Sequence, residues 1–198
     1  MTAPRARPKA LVTGATGAIG SALTERLSRE GWTVNALVRR TEAAGHLEKL
    51  SGVTLIAGDL ADTDTLSKAS ENSDAVFHLA ALVHADPSTP EVEFTRVNVA
   101  GTAALLDAVI TSGAQRFIFF SSVAVYPETD AVMDEESPVA PQTAYGRSKL
   151  DGEELTLSRA GDIDVVVLRL PVVYGPRDRG NMIRLIRAIQ RGRFAIVG

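Results

Sequence analysis

Residues 10–20 read Ala10-Leu11-Val12-Thr13-Gly14-Ala15-Thr16-Gly17-Ala18-Ile19-Gly20, an apolar run entering a turn with glycine at every third position. Glycine there lets the backbone bend sharply and approach a pyrophosphate. The N-terminus of the helix that follows then offers free amides and a partial positive charge to the anion. The spacing is G-x-x-G-x-x-G rather than the commoner G-x-G-x-x-G. Alone, it equally describes a turn needed only for close packing. Just downstream, Ile19, Leu23 and Leu27 recur at helical spacing, which predicts a helix over 19–29, ending before Gly31.

The same alternation continues outward. Strand-like apolar runs are expected at 10–13, 33–38, 53–57, 75–79, 116–121 and 165–170. Helical segments are expected at 41–50, from about 62, at 91–112 (closed by Gly113), at 142–160 (ended by Gly161) and at 182–191. Between the fifth strand and the 142–160 helix, Pro127, Pro138 and Pro141 make a stretch too rich in breakers for regular structure. The strand runs are almost continuously apolar rather than alternating, which suits strands covered on both faces. Right-handed crossovers through the helices then give an α/β fold, a doubly wound parallel sheet of Rossmann type with helices on both faces.

The 198 residues hold 45% hydrophobic and 23% charged residues, so a packed core is expected rather than a disordered chain. Lys and Arg number 21 against 24 Asp and Glu, a net charge of −3, which leaves no basic surplus for a nucleic-acid backbone. Zero cysteines removes disulfides, thiolate metal sites and a cysteine nucleophile. With three histidines, of which His78 reads as a satisfied core residue and His84 as an exposed loop residue, no metal site is expected. No apolar run is long enough to cross a bilayer, and the first ten residues have no apolar stretch behind their charges. The expectation is a soluble, cytoplasmic protein. The last five residues, Phe194 to Gly198, read as a strand just beginning, so a single domain over 1–198 with a C-terminal remainder missing is expected.

Two further places carry chemistry. The second strand ends in Arg39-Arg40, with no acid until Glu42. An acid at that position holds a ribose 2′-hydroxyl, whereas a guanidinium suits a 2′-phosphate, so NADP is favoured over NAD. Two solvated arginines at a strand end would look the same. Tyr145 and Lys149 lie four apart on a predicted helix and share one face. Moving a phenol from ~10 to ~7 needs roughly 4 kcal/mol. A cation about 6 Å away, at an effective dielectric of about 20, supplies roughly 3 kcal/mol. A Tyr/Lys pair on a plain helix surface is the alternative.

Tyr145-Gly146-Arg147-Ser148-Lys149, preceded by Phe120-Ser121-Ser122-Val123-Ala124-Val125-Tyr126, resembles the extended short-chain dehydrogenase/reductase family, the group of NAD(P)-dependent epimerases and dehydratases. In the family's order stand the 13–20 turn, Gly58-Asp59-Leu60, His78-Leu79-Ala80-Ala81, Asn98-Val99-Ala100-Gly101-Thr102 and Leu170-Pro171-Val172-Val173-Tyr174-Gly175-Pro176. Each is unspecific alone; six in register are not.

The resemblance implies roles position by position. Tyr145 is the expected general acid/base, Lys149 its helper and the ligand of the nicotinamide ribose, and Ser122 the hydrogen bond to the reacting oxygen, with Ser121 its rival. Gly14, Thr16, Gly17, Ala18 and Ile19 would hold the pyrophosphate. Asp59 and Leu60 would lie by the adenine, unless Asp59 is only a turn or cap residue. Leu79, Ala80 and Ala81 would line the cleft, Asn98 would brace it, and Pro171, Val172 and Val173 would pack near the nicotinamide. The implied activity is hydride transfer at a hydroxyl- or carbonyl-bearing carbon, within oxidoreduction, epimerisation or dehydration of a small molecule such as a nucleotide sugar. A non-catalytic module that senses NADP or binds a partner is the rival reading. The 91–112 and 142–160 helices can pack as a four-helix homodimer interface, as in the family, though the sequence itself does not show it.

Overall fold

The computed structural model describes residues 7–83, 86, 88–177 and 181–193. Six parallel strands form one sheet: β1 (Lys9–Thr13), β2 (Thr33–Val38), β3 (Val53–Ala57), β4 (Ala75–His78), β5 (Arg116–Ser122) and β6 (Asp164–Leu170). Their order across the sheet is β3-β2-β1-β4-β5-β6. The order reverses at β1, and a crevice opens there between β1 and β4 at the strands' C-terminal ends.

Burial explains the apolar runs. In β1, Leu11 packs into a core with Val76, Leu105, Phe117 and Phe119, while Ala10 and Val12 face the opposite core with Leu27, Val34 and Leu47. Both faces are dry, and each large side chain so buried contributes roughly 1.5–3 kcal/mol. The edge strands β3 and β6 are mostly half-exposed.

The helices are α1 (Ala18–Arg29), α2 (Gly45–Glu48), α3 (Thr63–Ser70), α4 (Glu91–Phe94), α5 (Gly101–Thr111), α6 (Ala144–Ser158) and α7 (Asn181–Gln190). Asp62 caps α3, accepting the Thr65 amide at 3.1 Å. Two expectations change. The 41–50 segment is a 3-10 turn, Thr41–Ala44, running into the single turn of α2. The long 91–112 helix is interrupted by a π-helical stretch, Thr95–Ala100, which turns buried Asn98 inward between α4 and α5. The proline-rich stretch is irregular as expected. Ala140 bonds back to Val125, and the Tyr126 hydroxyl donates to the Asp134 carbonyl at 2.8 Å. The expected strand at 194–198 and His84 lie outside the described residues. No described helix is long and apolar enough to cross a membrane.

Candidate active site

At the C-terminal ends of β1, β4, β5 and β6 lies a cleft of about 900 Å³. Its floor on one side is the glycine turn. Gly14 has φ +68°, and a Cβ there would stand 2.7 Å from the Ala80 amide nitrogen, so no other residue type fits between the β1 and β4 ends. Gly17 begins α1 with no side-chain cap, and the first turn carries no acid. Thr16, Gly17, Ala18 and Ile19 line the cleft there, with the open helix end directed at it. Leu79 and Ala81 form the adjoining wall.

The far side is built by β5 and α6. After Ser122 the chain makes a 3-10 turn, Val123–Val125, and α6 docks directly on it. A Cβ on Gly146 would collide with the Ala124 carbonyl, so glycine is what lets the helix approach. Thr143 caps α6 by accepting the Gly146 amide at 3.0 Å. Tyr145, two residues past the cap, therefore faces the cleft beside Ser122. Lys149, one turn on, is 3% exposed and also lines it. Because β5 and β6 pair with Ser122 opposite Leu170, the Pro171–Val173 segment leaves the sheet at the same level and closes that side.

The two serines part company. The hydroxyl of Ser121 donates to Glu153, whereas Ser122 Oγ accepts the Ala124 amide at 3.2 Å and keeps its proton for another partner. The electrostatics differ from the sequence expectation. The Tyr145 phenol is pushed up from its ordinary value by burial, with Ser122 pulling it the other way. Burial is the larger of the two effects, and the Lys149 ammonium rests 4.1 Å from the centroid of the Phe119 ring. Burial lowers Lys149 itself to about 8, with Glu153 opposing the drop. Among the described residues its ammonium has no hydrogen-bond partner, so a donor lies ready at the cleft surface.

Other expected residues lie off the cleft. Arg39 and Arg40 are exposed just past β2, whose neighbour is β1. Asp59 is an exposed turn residue that accepts the Ala61 amide at 3.1 Å, and Leu60 is buried in the core. Ala80 gives its amide to the Thr13 hydroxyl at 3.1 Å. Asn98 is a brace: its carbonyl accepts the Leu82 amide at 2.7 Å, and its amide donates to Leu82 O at 3.0 Å and Ser148 Oγ at 2.9 Å. It ties the β4 exit to α6.

Sequence reasoning missed Tyr126, Gln142, Thr143, Arg177 and Met182 in the lining. Thr143 carried a legible signal as a cap. Arg177 carried none, since it reaches the cleft edge by pairing with Glu25 of α1 at 2.7 Å, 152 positions away.

A model of the NAD dependent epimerase/dehydratase family matches residues 10–198. The chain belongs to that family. It is 32% identical to UDP-glucose 4-epimerase of Vibrio cholerae over 201 residues, 96% of this chain and 60% of that protein. It is 34% identical to dTDP-glucose 4,6-dehydratase of Streptomyces niveus over 181 residues, 84% of this chain and 54% of the relative. Among solved structures, UDP-glucuronic acid 4-epimerase from Bacillus cereus, in complex with UDP-glucuronic acid and NAD, superposes with a TM-score of 0.83 at 32% identity. That match covers 92% of this chain and 63% of the epimerase. The chain thus spans little more than half to about two thirds of the length of these family members.

Proposed function

We propose that this family member binds a nicotinamide dinucleotide across the cleft and moves hydride at a hydroxyl- or carbonyl-bearing carbon of a nucleotide sugar, as oxidoreduction or as one step of epimerisation or dehydration. The observation that carries this reading is the meeting of Ser122, Tyr145 and Lys149 on the wall of one cleft that also contains the uncapped glycine turn. The residues fit the cofactor. The α1 amides and Gly14–Gly17 suit a diphosphate, and the unpartnered Lys149 ammonium suits ribose hydroxyls. When bound, the cofactor supplies or accepts the hydride.

The chain's own residues handle the proton and the geometry. Tyr145, held protonated by burial, donates its phenolic proton to a carbonyl oxygen that is being reduced. In the reverse direction the phenolate must be stabilised, and the Ser122 hydroxyl does this from beside it. Ser122 Oγ accepts the Ala124 amide and has a single proton to give, which goes to the phenolate in that direction and to the substrate oxygen during reduction. Asn98, through Ser148, whose hydroxyl donates to the Tyr145 carbonyl at 2.8 Å, keeps the first turn of α6 in register with the cleft loop.

The finer choice of dinucleotide is NADP, on the strength of Arg39 and Arg40 and the lack of an acid beside them. The Bacillus cereus epimerase carries NAD, so this preference rests on the two arginines alone. Absence of cysteine fits a reducing compartment, and we place the protein in the cytoplasm. Mass spectrometry of the nucleotide that co-purifies, followed by calorimetric titration with NADP and NAD, tests the reading. Binding of one or both is expected, and no binding of either would refute it.

A further inference from the structure

The carboxylate of Glu153 stands one helical turn beyond Lys149 on α6 and is 1% exposed. Its acceptors are fully occupied from elsewhere. Ser121 donates to Oε1. Arg169, on β6, places Nε 3.1 Å from each oxygen and Nη2 2.8 Å from Oε2. The remaining arginine nitrogen, Nη1, donates to the Tyr126 hydroxyl at 2.8 Å and to the Glu135 carbonyl at 3.2 Å.

A lysine and a glutamate four apart on a helix ordinarily pair. Here they do not, and the Lys149 ammonium rests over Phe119 with its protons uncommitted. Two needs conflict at this spot. A buried ammonium needs an anion nearby to stay charged, yet a direct ion pair would draw it away from the cleft. A carboxylate already saturated by a bidentate guanidinium and a hydroxyl meets the first need without creating the second problem.

We propose that Glu153, saturated by Arg169 and Ser121, is a positioning residue for Lys149: it sustains the ammonium's charge from one turn away and leaves its hydrogen-bond donors to the cleft. What those donors hold rests on the dinucleotide reading above; the electrostatic coupling does not. The groups that interact with Lys149 are Glu153 on its own helix and His78 on β4, with Arg169 of β6 behind Glu153 and Tyr145, one turn back on α6, lining the same cleft. His78 is held neutral by burial, so the carboxylate and the guanidinium are the charges that matter.

The test is the titration of Lys149 by NMR in lysine-labelled protein, with no dinucleotide added. Lys9, Lys49 and Lys68 are the other lysines, so the Lys149 signal is identified by its loss in Lys149→Met. Glu153→Gln should lower the Lys149 midpoint by about one unit, and Arg169→Met, whose charge lies farther off behind the carboxylate, should raise it by less. Opposite signs separate this role from a merely structural one, because loosening the packing would hydrate the ammonium and raise the midpoint in both variants. If Glu153→Gln does not fold, the double variant Glu153→Gln/Arg169→Met, which leaves no orphan charge, should titrate about one unit below Arg169→Met. Midpoints that rise in both single variants, that stay unchanged, or that coincide in Arg169→Met and the double variant would overturn the proposal. None of these results bears on dinucleotide binding, which the titrations with NADP and NAD decide separately.

Discussion

His78 Nδ1 lies 2.7 Å from the Thr13 hydroxyl, joining the C-terminal ends of β4 and β1 beneath the cleft. The surrounding bonds select one tautomer. On the other side of the ring, Nε2 lies 2.9 Å from the Thr102 hydroxyl, whose proton is already given to the Asn98 carbonyl at 2.6 Å. Thr102 therefore accepts, Nε2 carries the hydrogen, and Nδ1 accepts the Thr13 proton. An imidazolium would put a second N–H against a hydroxyl that already accepts the Ala80 amide and would strand its proton. The neutral ring is part of the fold.

Acid stability follows from this. Burial, and to a lesser degree the charge of Lys149, lower His78 from 6.5 to about 3. Between those values the unfolded chain takes up a proton that the folded chain refuses, so stability is complete above about 6.5 and falls as pH drops toward 3. Between pH 6.5 and 5, above the carboxylate range, the loss should be about 1.5 kcal/mol. Urea melts at the two pH values measure it. A His78→Gln variant should show little of this slope, and an equal slope in the variant would remove His78 as its cause.

Tyr145→Phe keeps the ring in the cleft and deletes the proton. Dinucleotide affinity should stay within a few-fold while turnover of the full-length protein drops about 10²- to 10⁴-fold. Steady-state kinetics on the full-length protein, with fluorescence titration of the dinucleotide, decide it. Unimpaired turnover would exclude Tyr145 from proton transfer.

Replacing Arg39 and Arg40 together by Ala should weaken NADPH by about 10- to 100-fold and NADH far less, since charge-assisted bonds to a phosphate contribute about 1.5–3 kcal/mol. Both residues are exposed at the β2 end, so folding should be unaffected. Parallel fluorescence titrations with the two reduced dinucleotides read the ratio, and an unchanged ratio would show that the arginines do not select the cofactor.

Gly14→Ala combines a left-handed backbone with a collision against the Ala80 amide. The backbone strain alone costs about 1–2 kcal/mol, a Tm drop of roughly 2–8 °C at this chain length. Scanning calorimetry should show at least that drop, together with weakened dinucleotide binding. An unshifted melt would mean the turn has room to relax.

The strand positions, the glycine turn and the Tyr145/Lys149 spacing were legible because each is a local pattern. An apolar run buried on both faces looks apolar whichever strand it pairs with, and residues four apart on a helix share a face wherever the helix docks. The π-helical stretch was not legible. Asn98 sits in an otherwise helical sequence, and only its bonds to Leu82 and Ser148 account for its inward turn. Nor could the sequence separate Ser121 from Ser122, since adjacent strand residues point to opposite faces and only the position of α6 shows which face meets Glu153.

The amino-acid sequence by itself determined the architecture, the dinucleotide-type turn and the family resemblance, because periodicity and short motifs act over a few neighbouring residues. Only the tertiary structure decided which serine is free, that burial lifts the Tyr145 phenol, and that Lys149 stays unpaired beside a carboxylate held by Arg169. Those outcomes depend on desolvation and on partners from separate strands and helices, and the chain acquires both only when it packs.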